Sequence, residues 1–158
     1  MLRNFALICA LYLAGCASIS SLPQSASQAN FNDAEGKTGW SKYEDVLFLE
    51  GVDEKTAYLA AKAGLADAGF TIKKADHEKG AVFGEHGITM YDWNIVAGVY
   101  VKGQKDGTAV KAIVQGSKDT GFWGDHTASS WTQDIFKGVR NYIATESKLN
   151  NTSQKVSK

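Results

Sequence analysis

Three histidines, His77, His86 and His126, are the side chains best suited to moving a proton or holding a metal near neutral pH, with Asp92 and Asp125 as available co-ligands. Their spacing does not support a metal site, because no pair has the i, i+4 separation of a His-x-x-x-His helix. Asp125, His126 and Ser129 are the residue types of a hydrolytic triad. Adjacency in sequence, however, is not the geometry that activates a serine, and there is no Gly-x-Ser-x-Gly elbow. Neither Gly-x-Gly-x-x-Gly nor a phosphate loop ending in Gly-Lys-Ser/Thr occurs. The expectation is a chain with no catalytic residue, no metal and no cofactor.

Aromatic chemistry is more prominent. Phe122 and Trp123 stand between Gly121 and Gly124 in segment 120–127, which has no helical or strand period. Either they plug the open end of a sheet, or they are anchors for a partner, since Trp and Phe beside flexible glycine are common at interfaces. Tyr91 and Trp93 form a second aromatic pair expected at the same end, whereas Trp40 and Tyr43 read as packing residues at the domain entrance. As contacts, Phe122 and Trp123 changed together to Ala would leave stability within about 0.5 kcal/mol. Association would weaken by about 2 kcal/mol or more. As a plug, the order of the two effects reverses.

The chain that must position these groups has 158 residues, 44% of them hydrophobic, which suits a single domain. Without its polar ends the folded unit would hold about 105 residues. Segment 5–13 is an apolar run preceded by Arg3, the pattern of a targeting leader, and is too short for the roughly 20 apolar residues of a membrane-spanning helix. It ends in Leu13-Ala14-Gly15-Cys16, which resembles the lipobox of bacterial lipoprotein signal peptides: aliphatic, small, small, cysteine. The resemblance implies cleavage before Cys16 and acylation of its thiol and new amine. Two or three acyl chains, at about 0.8 kcal/mol per buried methylene, make a stable anchor. Ala17 in place of Asp after the cysteine implies, by the same resemblance, an outer-membrane address facing the periplasm.

Loss of Arg3 with the leader would leave 16 basic against 17 acidic residues, a net charge of −1. Such a chain lacks the clustered positive surface that displaces counterions from nucleic acid, and Lys73, Lys74 and Lys79 are interleaved with Asp76 and Glu78. The expected partners are the membrane, through Cys16, and an envelope protein. Cys9 leaves with the leader and Cys16 is taken by lipid, so no thiol remains for a disulfide, a zinc site or a nucleophile.

The expected organisation is a leader over 1–15, a lipidated flexible tether over 16–39, one α+β domain over 40–146 and a disordered tail over 147–158. The tether is rich in Ser, Ala, Gln and Asn and would reach about 25 Å. Within the domain, the apolar run Val46, Leu47, Phe48, Leu49 reads as a buried strand. Asp53 caps a helix over 54–68 that Gly69 ends, with Tyr58, Ala61, Leu65 and Ala68 on one stripe. Short strands follow around Phe70 and Ile72 and from Ala81, separated by the turn Asp76-His77-Glu78-Lys79-Gly80. A hairpin joins 94–102 to 108–115, with Ile95, Ala97, Val99 and Val101 on one face and Val110, Ala112 and Val114 matching them. Ser130-Trp131-Thr132-Gln133 matches a capping box opening a helix whose stripe is Trp131, Ile135, Val139, Tyr142 and Ile143.

The fold class is therefore α+β, a mainly antiparallel sheet of about five strands in the order β-α-β-β-β-β-α with both helices on one face. The helix exit Leu65-Ala66-Asp67-Ala68-Gly69-Phe70, followed by Ile72, Asp76 and Gly80-Ala81-Val82-Phe83, resembles the helix-grip modules of barrel-assembly-machinery lipoprotein C and similar small envelope lipoproteins. These are fold-forming residues, and the resemblance implies topology, not activity. The leading functional expectation is a non-enzymatic accessory or protein-binding lipoprotein. Second is a carrier or sensor of an apolar or amphipathic ligand, for which a pocket lined by Tyr58, Val99 and Trp131 would speak. An envelope hydrolase is third.

Overall fold

The computed structural model describes residues 17–32, 36–37, 42–87, 95–116 and 128–156. The elements are β1 (Gly36–Lys37), β2 (Lys42–Glu50), α1 (Glu54–Asp67), β3 (Thr71–Asp76), β4 (Ala81–His86), β5 (Ile95–Gln104), β6 (Gly107–Gln115) and α2 (Ala128–Val156). All strands pair antiparallel in one sheet ordered β1-β2-β6-β5-β4-β3. The α+β class and the order β-α-β-β-β-β-α are as the sequence indicates, with the two-residue β1 added at one edge.

Local chemistry sets the boundaries of α1. The Asp53 carboxylate accepts from the Thr56 N–H at 3.0 Å and from the Thr56 hydroxyl at 2.7 Å, satisfying a first-turn donor. Gly69 has φ +88°, a conformation glycine adopts freely, which lets the Phe70 N–H return to the Leu65 carbonyl at 3.2 Å. The β5–β6 hairpin is tighter than expected: Gln104 pairs directly with Gly107, leaving a two-residue turn at Lys105 and Asp106.

Both helices lie on one face. Tyr58, Ala61 and Leu65 of α1 and Trp131, Ile135 and Val139 of α2 bury against Ile95, Ala97, Val99, Val101, Val110, Ala112 and Val114. The helices meet at Gly64, where an added Cβ would lie 2.5 Å from the Ile135 carbonyl oxygen and 2.8 Å from the Val139 nitrogen. Backbone cannot yield as a side chain can. Gly64→Ala should therefore cost about 1–3 kcal/mol in chemical denaturation, despite the better helix propensity of alanine. An unchanged unfolding midpoint would show that the helices separate freely.

The opposite face corrects the expected organisation. Residues 17–32, read as part of a flexible tether, instead run as a strap across the sheet. Leu22, Ala26 and Ala29 bury against Ala81, Phe83, Val96, Tyr100 and Ile113. The reason lies in the sheet, whose second face is also apolar along β4 and β5 and requires a cover. Polar contacts lock the strap: the Tyr100 hydroxyl donates to the Pro23 carbonyl at 2.8 Å, and the Ala26 N–H donates to the Lys79 carbonyl at 2.8 Å. The packed domain thus begins at Ala17 and not near residue 40.

Three smaller corrections have local causes. Phe48 is 46% exposed, because the strap covers β4, β5 and β6 but leaves part of β2 open, so the apolar run of β2 is not buried on both faces. Helix α2 starts at Ala128, which puts Ser130 inside the first turn and not at the cap. The same helix continues to Val156, so the stretch 147–156, expected to be disordered, is helical: the turns set by the buried stripe propagate past it through residues that include no proline or glycine.

Candidate functional site

Two groups of side chains go beyond ordinary core packing. The first gathers at the end of the sheet where β4 finishes. Phe70 enters after the Gly69 turn, His86 is the last residue of β4, and Trp131 projects from the first turns of α2. Their rings meet edge to face or tilted: Phe70–Trp131 at 5.2 Å, His86–Trp131 at 4.8 Å and Phe70–His86 at 5.9 Å between centroids. Phe70 and Trp131 are buried and His86 half-buried. The His86 Nδ1 atom is buried and makes no hydrogen bond among the described residues. A buried polar atom without a partner costs about 1–3 kcal/mol.

The second group sits under the strap. Lys111 is 0% exposed and Glu44 4%. The Lys111 ammonium lies 2.5 Å from the Glu44 carboxylate and donates to the Asn30 carbonyl at 2.5 Å, while Lys42 pairs with the other Glu44 oxygen. Burial pushes the Glu44 carboxyl up, but the hydrogen bonds and charges of Lys111 and Lys42 outweigh it and hold the group below its ordinary value. Burial, with the Glu44 charge nearby, drives the Tyr100 hydroxyl well above the usual phenol range. Tyr100 therefore stays a neutral donor to the strap.

Sequence reasoning missed both groups. Phe70, His86 and Trp131 are far apart in the chain and become neighbours only through the sheet and the return of α2. The signal for the second was a lysine between Val110 and Ala112 in a strand otherwise made for burial.

Among the described residues the other candidates do not converge. His77 is exposed in the β3–β4 turn, with its ring edge-on to Tyr58 at 4.8 Å. The length of β4, about 17 Å, separates it from His86. Among the described residues no three His, Cys, Asp or Glu side chains group as metal ligands. Lys73 pairs with Glu85 at 3.7 Å, Lys79 pairs with Asp76 at 3.2 Å, and Lys74 donates to Gln24 at 3.2 Å. Tyr58, Val99 and Trp131 are buried in one apolar cluster. Two open depressions at the hairpin end, around Glu54 and Gly103, include none of those three. Cys16, Tyr91, Trp93, Phe122 and Trp123 lie outside the described residues, as do Trp40, Asp92, Asp125 and His126. Among the described residues no helix is long and apolar enough to cross a membrane.

No protein-family model and no curated protein matches this chain. Among solved structures, it is similar to the crystal structure of Ara h 8.0201, with a TM-score of 0.47 and 11% identity over 66% of this chain and 97% of that one. It is also similar to the di-domain ARO/CYC StfQ from the steffimycin biosynthetic pathway, with a TM-score of 0.41 and 9% identity over 68% of this chain and 52% of that one. A third likeness is to protein CV1439 from Chromobacterium violaceum, with a TM-score of 0.38 and 14% identity over 63% and 94% of the two chains.

Proposed function

We propose that this chain is a lipoprotein of the bacterial cell envelope, held to the membrane by acyl chains on Cys16, whose domain binds an apolar or amphipathic ligand and does not transform it. The observation that carries the binding reading is His86: a buried imidazole nitrogen without a hydrogen bond among the described residues, on a ring that packs against those of Phe70 and Trp131. Natural proteins satisfy nearly all buried polar atoms, so an exception at the rim of a core calls for a reason. A ligand with an apolar body and one polar group supplies it. The body covers the aromatic edges, and a turn of the half-buried His86 ring brings Nδ1 out to the polar group, which takes up its unused hydrogen-bonding capacity. Gly87, the next residue along, is exposed, so the group lies close to solvent.

The test uses 8-anilinonaphthalene-1-sulfonate as a fluorescent amphiphile, with laurate as competitor. The soluble chain from Ala17 onward should bind the dye and release it to laurate. His86→Leu removes the unsatisfied nitrogen, so the variant should be more stable by about 1 kcal/mol or more and yet bind either probe several-fold more weakly. Equal affinity in a stable variant would remove His86 from the site and the ligand reading with it.

The anchoring half has its own test. Cys16→Ser should move the protein from the membrane fraction to the soluble fraction or leave it as an uncut precursor. Unchanged fractionation and mature mass would rule out lipidation.

A further inference from the structure

The strap changes what an anchor at Cys16 would do. A flexible tether would let the domain drift about 25 Å from the lipid. Instead, Ala17, the residue after Cys16, is already packed against the apolar cluster of Phe83, Val96 and Ile113, together with Ile19. Residues Ile19–Ser21 form a 3-10 turn capped by the Ser18 side chain. The Ser21 hydroxyl donates to the Ser18 carbonyl at 2.6 Å and reaches the Gln115 side chain at 3.2 Å. One peptide unit, about 3.8 Å, therefore separates the acylated residue from the folded body. The headgroup layer on each side of a bilayer is only about 5–8 Å deep.

Strand register identifies the end of the domain that carries the attachment. Gln115 pairs with Val96, and Ile95 with His86, so Ser21, Gln115, Ile95 and His86 all lie at one end of the sheet. The β5–β6 turn at Lys105 lies at the other end, about 30 Å away along the ten residues of β5. Resting on the lipidation reading above, the geometry points to a domain seated directly on the bilayer surface by the His86–Gln115 end, with the strap as a rigid mount. The Phe70–His86–Trp131 group belongs to that same end and so faces the lipid, which makes membrane amphiphiles its immediate source of ligand.

The experiment uses the full, acylated chain in vesicles containing headgroup-spin-labelled phosphatidylcholine. Cys9 and Cys16 are the chain's two cysteines, so after processing one introduced thiol is unique. A fluorophore is placed at Gly87→Cys, where a side chain meets nothing within 4 Å, or at the exposed hairpin turn in Lys105→Cys. Quenching should be several-fold stronger at position 87 than at position 105. Inserting about a dozen Gly and Ser residues between Cys16 and Ala17 should abolish the difference, because such a linker spans about 20 Å. Chains that float with the vesicles but are quenched equally at both positions would overturn the seating and leave the anchor intact. Chains that fail to float would overturn the anchor itself and the seating with it.

Discussion

Replacing Trp131 with alanine is expected to cost about 3–5 kcal/mol, a large share of the stability of a domain this size. The side chain is only 7% exposed and opens the stripe that α2 lays on the sheet, packing against Phe70 at 5.2 Å and His86 at 4.8 Å. Truncation removes apolar area from water-free contact and leaves a hole between three elements that cannot all move in to fill it. Urea denaturation followed by far-ultraviolet circular dichroism measures this without relying on the lost fluorophore. A loss below about 1 kcal/mol would place Trp131 on the surface.

The second large effect belongs to the pair under the strap. Glu44→Gln strips the Lys111 ammonium, 0% exposed, of its counter-charge and leaves it facing neutral acceptors, the new amide oxygen and the Asn30 carbonyl. Removing one partner of a buried pair typically costs about 3–5 kcal/mol. Replacing both with apolar residues of similar volume is often neutral or stabilising. The double variant Glu44→Leu with Lys111→Met should therefore recover most of what Glu44→Gln loses. Equal losses in the single and double variants would mean that the strap needs the charges themselves.

The same pair sets a pH dependence. The Glu44 carboxyl is held below its ordinary value of 4.5, so its contribution is complete above that value and is lost as the pH falls through the lower folded-state value. Asp53 and Asp76 are lowered as well, by hydrogen bonds to Thr56 and Lys79, and lose their contributions in the same acid window. The double variant keeps those two groups. The part of the acid-induced fall in melting temperature that it lacks, relative to the parent chain, is the part due to Glu44.

How much of this was legible in the sequence depended on how local each signal was. The β5–β6 hairpin was readable because Ile95, Ala97, Val99 and Val101 alternate with residues of the other face, whereas its register was not, since the turn closes at Lys105 and Asp106 and draws residues 103, 104 and 107 into the ladder. Helix α1 was readable from Asp53 and Gly69, and α2 from the spacing of Trp131, Ile135 and Val139. The strap was not, because an irregular segment has no period: a few apolar anchors, Leu22, Ala26 and Ala29, hold it inside a composition that otherwise looks like a linker. Its locks are the backbone carbonyls of Pro23 and Asn30, which every sequence has and none advertises. The Phe70–His86–Trp131 group escaped for a different reason, since each member has a sufficient local explanation and only the tertiary fold gives them a common one.

The binding proposal stands or falls with the hydrogen-bonding state of one atom. Nitrogen-15 chemical shifts of the imidazole rings, recorded on the labelled chain from Ala17 onward while laurate is added, report on it directly. The account predicts that the His86 Nδ1 resonance moves saturably as it gains a hydrogen bond, while the His77 ring, about 17 Å away along β4, stays in place. A His86 Nδ1 signal unmoved at laurate concentrations that release the bound dye would show that the amphiphile sits elsewhere and would contradict the proposed site.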